Sequence, residues 1–281
     1  MSEKVHYRED YQPPTFRKVA YGTWRTAADP SVYGFLDIDM SHALRFVKNY
    51  EEQHPVKITA THLVAQAITH CLKIRPEING LLRRGKIYLR QEVSLFFQVS
   101  VPGTGDNSEK IKKANLSGTT IHHADNLSLA EIAQALSSNA KAIRSGKDPK
   151  FNQAFNIMRS MPWFLMRYFL NLVSWLTYDV SLDLTWAGLP RDPFGSVMIT
   201  NVGSLGIDCA FAPLCPYTRV PILLTIGAIN DRPVAIDGRV EVRPMMSIGV
   251  TFDHRFMDGI HAAQMSKEFK NCFAQPEKYF H

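Results

Sequence analysis

The sequence predicts an α/β domain, with strands and helices interleaved along its 281 residues. Three observations carry that prediction. Met246, Ile248, Val250 and Phe252 alternate with small or polar residues up to a turn, and after it Ile260, Ala263, Met265, Phe269, Cys272 and Phe273 recur at near-helical spacing, so a strand runs into a helix. Earlier, two apolar-periodic helical stretches precede a cleanly alternating strand at Val93, Leu95, Phe97, Val99 and Val101. Finally, Asp237-Gly238 lies between Val234-Ala235-Ile236 and Val240-Glu241-Val242, a hairpin signal because both turn residues tolerate positive φ.

The elements follow in order. Residues 1–30 are polar and broken by Pro13, Pro14 and Pro30, and read as an extended arm. Residues 33–39 read as a strand. A helix starts near Ser41 and places Ala43, Leu44, Phe46, Val47 and Tyr50 on one face. A second helix over 59–73 buries Leu63, Val64, Ala67, Ile68 and Cys71, and Pro76 closes that region. Residues 87–89 and 93–101 read as a pair of strands, and the polar stretch 102–120 as a loop. Ser128 and Glu131 form a capping-box pair that opens a helix to about Arg144, where Gly146 stops it. Residues 197–200 and 222–226 read as buried strands. No internal repeat is present. One stretch stands apart: residues 162–178 are almost wholly apolar and aromatic. A membrane-spanning helix needs about 20 apolar residues. This run is shorter and is interrupted by Arg167 and Asn171, which leaves a buried or interface helix, a lid over a hydrophobic channel, or association with a membrane surface.

The formal net charge of +6 is a modest basic excess that suits an anionic ligand or acidic partner and is too small to imply nucleic acid. Two basic clusters, Arg83-Arg84-Lys86 and Lys110-Lys112-Lys113, read as solvated faces. The four cysteines, Cys71, Cys209, Cys215 and Cys272, show neither CxxC pairing nor metal-ligand spacing, so no metal site is expected. Cys71 and Cys272 fall on apolar helix faces as buried thiols. With no signal peptide read at the N-terminus, a reducing, cytoplasmic setting is expected.

The chemistry concentrates at Asp253-His254-Arg255-Phe256-Met257-Asp258-Gly259. A histidine held between a strand and a helix has rigid elements on both sides, which suits a general base. Asp258 lies in the turn beside it, where it can also cap the following helix. His122 and His123 approach a helix with no carboxylate or cysteine partner read nearby, and are expected to be exposed.

Two segments carry a family resemblance. Phe252-Asp253-His254-Arg255-Phe256-Met257-Asp258-Gly259 resembles the FDHRxxDG signature of the catalytic domain of dihydrolipoamide acyltransferases, the core components of 2-oxoacid dehydrogenase complexes, related in fold to chloramphenicol acetyltransferase. Residues 195–206, with Thr200-Asn201-Val202-Gly203, resemble that family's GGxFTISNLGxxG segment. Arg75-Pro76-Glu77-Ile78-Asn79, Phe211-Ala212-Pro213 and Ile226-Gly227 fall in order as weaker matches. The resemblance implies a two-layer α+β sandwich with a mixed sheet and helices on one face. It implies that His254 takes the proton of a thiol, of coenzyme A or of a dihydrolipoyl group, and that Thr200 stands where the family has an oxyanion-stabilising serine. It implies that Asp258 holds the histidine loop through an arginine, matched by Arg17. Arg255 and Asn201 take supporting roles. It further implies a homotrimer with His254 of one subunit facing Thr200 of its neighbour, acyl-coenzyme A as substrate, and lipoyl-domain or 2-oxoacid dehydrogenase partners.

The sequence also departs from the family. Residues 31–281 read as a single catalytic domain, with no lipoyl or subunit-binding domain, so a lipoyl group has to come from another protein. An apolar insertion at about 151–190 precedes the Thr200 strand and could line a substrate channel. Three other functions stay open: acetyl transfer to a small hydroxyl or amine acceptor, a non-catalytic scaffold on the same core, and membrane association through 162–178.

Overall fold

A computed structural model of the chain describes residues 29–101, 115–145, 162–185 and 192–281. Contacts divide the chain into Met1–Pro30 and Ser31–His281. The second unit carries every element given below. Its strands are β1 (Ser31–Asp39), β2 (Gly80–Arg83), β3 (Lys86–Leu89), β4 (Leu95–Val101), β5 (Asn115–Ile121), β6 (Val197–Asn201), β7 (Ile222–Ile236) and β8 (Arg239–Asp253). Its helices are α1 (Ser41–Gln53), α2 (Ala60–Ile74), α3 (Leu129–Arg144), α4 (Trp163–Ser174), α5 (Gly259–Ala274) and the short α6 (Pro276–Tyr279).

Six strands form one mixed sheet in the order β1-β8-β7-β6-β4-β5. The pairs β4–β6 and β6–β7 are parallel, and β1–β8, β7–β8 and β4–β5 are antiparallel. One face carries Leu95, Phe97, Val197, Ile199, Ile222, Leu224, Ile226 and Ile248, and it packs in one core with Leu63, Val64 and Ile68 of α2, Leu129 and Ile132 of α3, and Met265, Phe269 and Phe273 of α5. This is the expected two-layer α/β arrangement. Met198, Leu223 and Val220 on the other face make a smaller cluster with Phe96, Phe194, Ala212 and Leu214. Cys71 and Cys272 are buried thiols, and burial pushes Cys272 up to about 12.

Several boundaries follow local chemistry. The Ser128 hydroxyl accepts the Glu131 amide, and the Glu131 carboxylate accepts the Ser128 amide at 2.8 Å, so the capping box opens α3 as predicted. Gly146 lies outside the described residues. Asp237 and Gly238 both take positive φ, at 49° and 77°, and close the β7–β8 hairpin. The short strands predicted on either side of that turn are parts of two 15-residue strands.

Three expectations need correction. Residues 87–89 do not pair with β4. They pair with β2 through the two-residue turn Arg84-Gly85, whose φ values of 49° and 74° suit a tight hairpin although neither Asn nor Asp announces it. The predicted loop 102–120 contains β5 from Asn115 onward. That strand is an edge paired only to β4, where Ser117, Thr119 and Thr120 satisfy β-geometry without an apolar run. Leu44, which helical spacing groups with Ala43 and Phe46 on one face of α1, is exposed, and only Ala43 and Phe46 of that helix are buried.

His62 gives the fold a pH dependence. Its neutral Nδ1 accepts the Thr59 amide at 3.1 Å to close the N-terminus of α2, and burial holds its pKa down at about 4. The unfolded chain therefore binds a proton that the folded chain refuses between about pH 6.5 and 4. Stability is expected to fall over that window as pH drops, by roughly 3 kcal/mol in the limit of the full shift. Urea denaturation of wild type and His62→Gln across the window checks this: the variant should lose most of the slope, and an equal slope in both would refute the assignment.

Candidate active site

The His254 turn is fixed at both ends. The Asp253 amide donates to the Pro221 carbonyl at 2.9 Å, which anchors the end of β8 to the start of β7. The Asp253 carboxylate is buried and accepts the Arg255 amide at 2.9 Å and the Arg255 guanidinium at 2.6 Å. That ion pair raises the Arg255 pKa above its ordinary value. Phe256 lies against Gly80 of β2, where a β-carbon would meet its ring at 2.7 Å, and Met257 enters the main core. His254 stands exposed at the crest of this turn.

Asp258 is the N-cap of α5. Its carboxylate accepts the amides of Ile260 at 2.9 Å and His261 at 3.1 Å and contacts the His261 ring at 2.8 Å. Those donors hold its pKa below the ordinary carboxylate range, the His261 amide most of all. Arg17, matched to the aspartate's arginine partner, lies outside the described residues. Arg255, three residues away, is committed to Asp253.

Thr200 sits on β6, half-buried, on the face opposite the helices. The next residue ties the strand end down: the Asn201 carboxamide donates to the Thr61 hydroxyl of α2 at 2.9 Å, and its oxygen accepts the Ser204 amide at 3.1 Å. Thr225, in register with Thr200 on β7, has a buried hydroxyl without a hydrogen-bond partner. Sequence reasoning passed over Thr225, since a threonine inside a strand gives no signal of its own.

The sheet register keeps Thr200 and His254 apart within one chain. Phe252 pairs with Ile222, and Ile222 with Val197, so the His254 turn lies at the start of β6. Thr200 is three residues further along. Phe252 is therefore roughly 10 Å from Thr200 along the strands and a further ~10 Å away across two strand spacings, and His254 lies two residues beyond Phe252, too far for direct contact.

Two other sequence readings resolve here. His122 and His123 are exposed as expected, but His123 has a carboxylate partner, Glu92, at 2.6 Å, and His122 contacts the Ser94 hydroxyl at 3.2 Å. Glu92 was missed because it lies 31 residues away in sequence and reaches His123 only through the β4–β5 pairing. Among the described residues no group of three or more His, Cys, Asp or Glu side chains could hold a metal ion.

The chain is thus a mixed six-stranded sheet layered with helices, an α/β domain that carries a histidine on the turn between β8 and α5. The chain belongs to the 2-oxoacid dehydrogenases acyltransferase (catalytic domain) family, whose sequence model matches residues 17–150 and 194–281. It is 26% identical over 226 residues to the dihydrolipoyllysine-residue acetyltransferase component of the acetoin cleaving system of Bacillus subtilis (strain 168), covering 80% of this chain and 44% of that protein. It is 25% identical over 256 residues to the dihydrolipoyllysine-residue succinyltransferase component of the 2-oxoglutarate dehydrogenase complex of Rickettsia typhi (strain ATCC VR-144 / Wilmington), covering 90% of this chain and 51% of that protein. The chain thus spans about half the length of these curated relatives. In structure it is similar to the dihydrolipoamide acetyltransferase of Azotobacter vinelandii, with a TM-score of 0.63, 20% identity and coverage of 96% of this chain and 98% of that one.

The cap predicts a pH-dependent effect of Asp258. A carboxylate whose folded pKa is lowered stabilises the fold above its unfolded pKa of about 3.9 and loses that contribution as pH falls through the folded value. Asp258→Ala should lower the melting temperature at neutral pH, and the gap to wild type should close below about pH 4. Calorimetry at both pH values checks this, and a gap that persists in acid would show that the carboxylate charge is not what stabilises α5.

Proposed function

We propose that this domain transfers acyl groups between coenzyme A and a dihydrolipoyl-type thiol, with His254 as general base and Thr200 as oxyanion donor. The single observation that carries the reading is the rigid His254 turn within a family-matched segment, with the Thr200 strand in the second half of the same match. In the Azotobacter enzyme a serine, a histidine and an asparagine four residues beyond it have been examined for catalytic roles. His254 and Asp258 have that same spacing, and Thr200 supplies a hydroxyl as a serine would.

The chemical need is specific. A free thiol has a pKa near 8.5 and is mostly protonated at neutral pH. His254 removes the proton as the thiol sulfur attacks the thioester carbonyl. The tetrahedral intermediate places its negative oxygen against the Thr200 hydroxyl. When the intermediate collapses, the carbon–sulfur bond to the departing thiolate breaks, and the His254 imidazolium returns the proton to that sulfur. Asp258 acts at a distance, by fixing the start of α5 and hence the turn.

Because one chain separates the two groups, the reading requires an assembly of at least two copies, and a homotrimer with a shared site is the form proposed. A second feature supports it. Phe35, Gly249, Thr225 and Thr200 form one row across β1, β8, β7 and β6, so they share the face away from the helices. Phe35 on that row is 63% exposed, and Tyr33 beside it stacks edge-on against the exposed Phe211. A neighbouring copy seated there would cover these rings and bring its own His254 toward Thr200. Partner proteins bearing the lipoyl group follow from the same reading.

Turnover of a panel of acyl-coenzyme A donors with free dihydrolipoamide tests the mechanism. His254→Ala should lose roughly 10²–10⁴-fold in kcat. Thr200→Val should lose about 10²–10³-fold while Thr200→Ser stays near wild type. Co-refolding inactive His254→Ala with inactive Thr200→Val should restore part of the activity, because mixed assemblies contain sites with both groups intact. Active monomers in light scattering, or no recovery in mixtures, would sink the shared site. Turnover with hydroxyl or amine acceptors instead would move the assignment to that class.

A further inference from the structure

Helix α4 presents an inverted surface. Met166, Phe169, Leu170, Val173 and Ser174 point inward, and the helix packs on the turn Pro216–Thr218. The outward positions 163, 164, 167, 168, 171, 172 and 175 follow helical spacing and carry Trp163, Phe164, Tyr168, Leu172 and Trp175, with Arg167 and Asn171 as the polar members. Trp163 is 87% exposed, Tyr168 72% and Trp175 51%. An ordinary surface helix turns charged residues outward, and a contiguous aromatic stripe there marks a surface that meets something apolar. The segment also falls within residues 151–193, which the family match skips.

The stripe itself carries no carboxylate, and Asp192 beside it is paired with Arg90. No Asp or Glu occurs from residue 162 to 178. Asp179, which follows, is neutralised by the Arg219 guanidinium and also accepts the Arg84 amide. The β2–β3 hairpin is joined to this segment, since Arg83 donates to the Asp179 carbonyl at 3.0 Å and Arg219 to the Leu82 carbonyl at 3.1 Å. That hairpin presents Arg84, Lys86, Ile87, Tyr88 and Leu89 to solvent, and residues 80–91 contain no carboxylate.

These facts choose among occupants. Among the described residues no helix is long and apolar enough to cross a membrane. A second copy docked on this face about a two-fold axis would bring two Arg167 side chains into the interface with no carboxylate on the stripe to balance them. A negatively charged bilayer surface meets both halves of the pattern: Trp and Tyr settle at headgroup depth, and the cations face anionic headgroups. We infer that the outer face of α4, with the Arg84/Lys86 hairpin beside it, docks on an anionic lipid surface.

Flotation of the full chain with phosphatidylcholine vesicles, with and without phosphatidylglycerol, tests this apart from any catalysis. The protein should float with the anionic vesicles, much less with the neutral ones, and less again as salt rises. Trp163→Ser, Tyr168→Ser and Trp175→Ser together should abolish flotation without changing the far-ultraviolet dichroism. Should that variant not fold, Arg84→Glu with Arg167→Glu keeps the aromatic face and should reduce partitioning at least ~tenfold. Wild type that stays out of the floating fraction, flotation indifferent to anionic lipid, or charge-reversed protein that floats as well as wild type would overturn the inference. A drop in oligomer mass confined to the serine variant would overturn it too, by assigning the face to a second copy.

Discussion

The β7–β8 hairpin sets where every other part of the molecule can lie. Its two 15-residue strands turn at Asp237-Gly238 and run back in register from Ile236↔Arg239 to Ile222↔Phe252, with one irregularity between Ile226 and Ile229. β1 is added to the outer side of β8 along nine paired residues, and β6 to the other side of β7. A slip of one residue in the hairpin would turn Ile248, Met246 and Ile226 away from the helices and expose that apolar set. It would also shift the end of β8, and the histidine after it, by about 3.3 Å. The position of His254 is therefore fixed by packing spread over the whole sheet and by few contacts of its own.

The two faces of the sheet have different fates. The helical face is closed by α1, α2, α3 and α5 and holds most of the buried apolar side chains. Among the described residues the other face is covered only in part, by the chain from about Ile207 to Arg219. There the Ala210 carbonyl lies so close over Gly249 that no side chain fits, and Ala212 accepts the Thr251 hydroxyl at 2.8 Å. Beyond that cover, Asp37, Ser247 and Arg232 form a polar cluster, with Arg232 donating to the Ser247 hydroxyl at 2.8 Å. The unpartnered Thr225 hydroxyl and the exposed Phe35 lie on the same side. A buried hydroxyl left without a partner costs free energy on the order of 1–3 kcal/mol, which a ligand or a reoriented neighbour at Thr200 can offset. A sheet face with rings exposed on one strand and hydroxyls on the next has the mixed character of a surface that works in contact with another.

Much of this was legible in the sequence because the signals were local. The capping box of α3, the Asp237-Gly238 turn and the apolar periodicity of α2 and α5 each reside in a few adjacent residues. What failed was information carried between segments. β5 is polar and becomes a strand only by pairing with β4, and the β2–β3 hairpin turns at Arg84-Gly85, a dipeptide whose conformation the flanking strands impose. Glu92 and His123 meet for the same reason. The motif residues were visible by resemblance, but their relation was not: only the register shows that His254 follows β8 beyond the start of β6 while Thr200 lies near the end of β6, two strands away.

That separation has a physical logic. A histidine fully enclosed in its own chain would lose the solvation of its protonated form, as buried His62 does. Exposed on a braced turn, His254 keeps solvent access while Asp253–Arg255 on one side and the Asp258 cap on the other restrict its backbone. Under the proposed shared site, burial of His254 waits until a second copy brings the complementary strand. In that proposal, the water-excluded environment that strengthens an oxyanion hydrogen bond is created by assembly, and the folding of the single domain need not bear its cost.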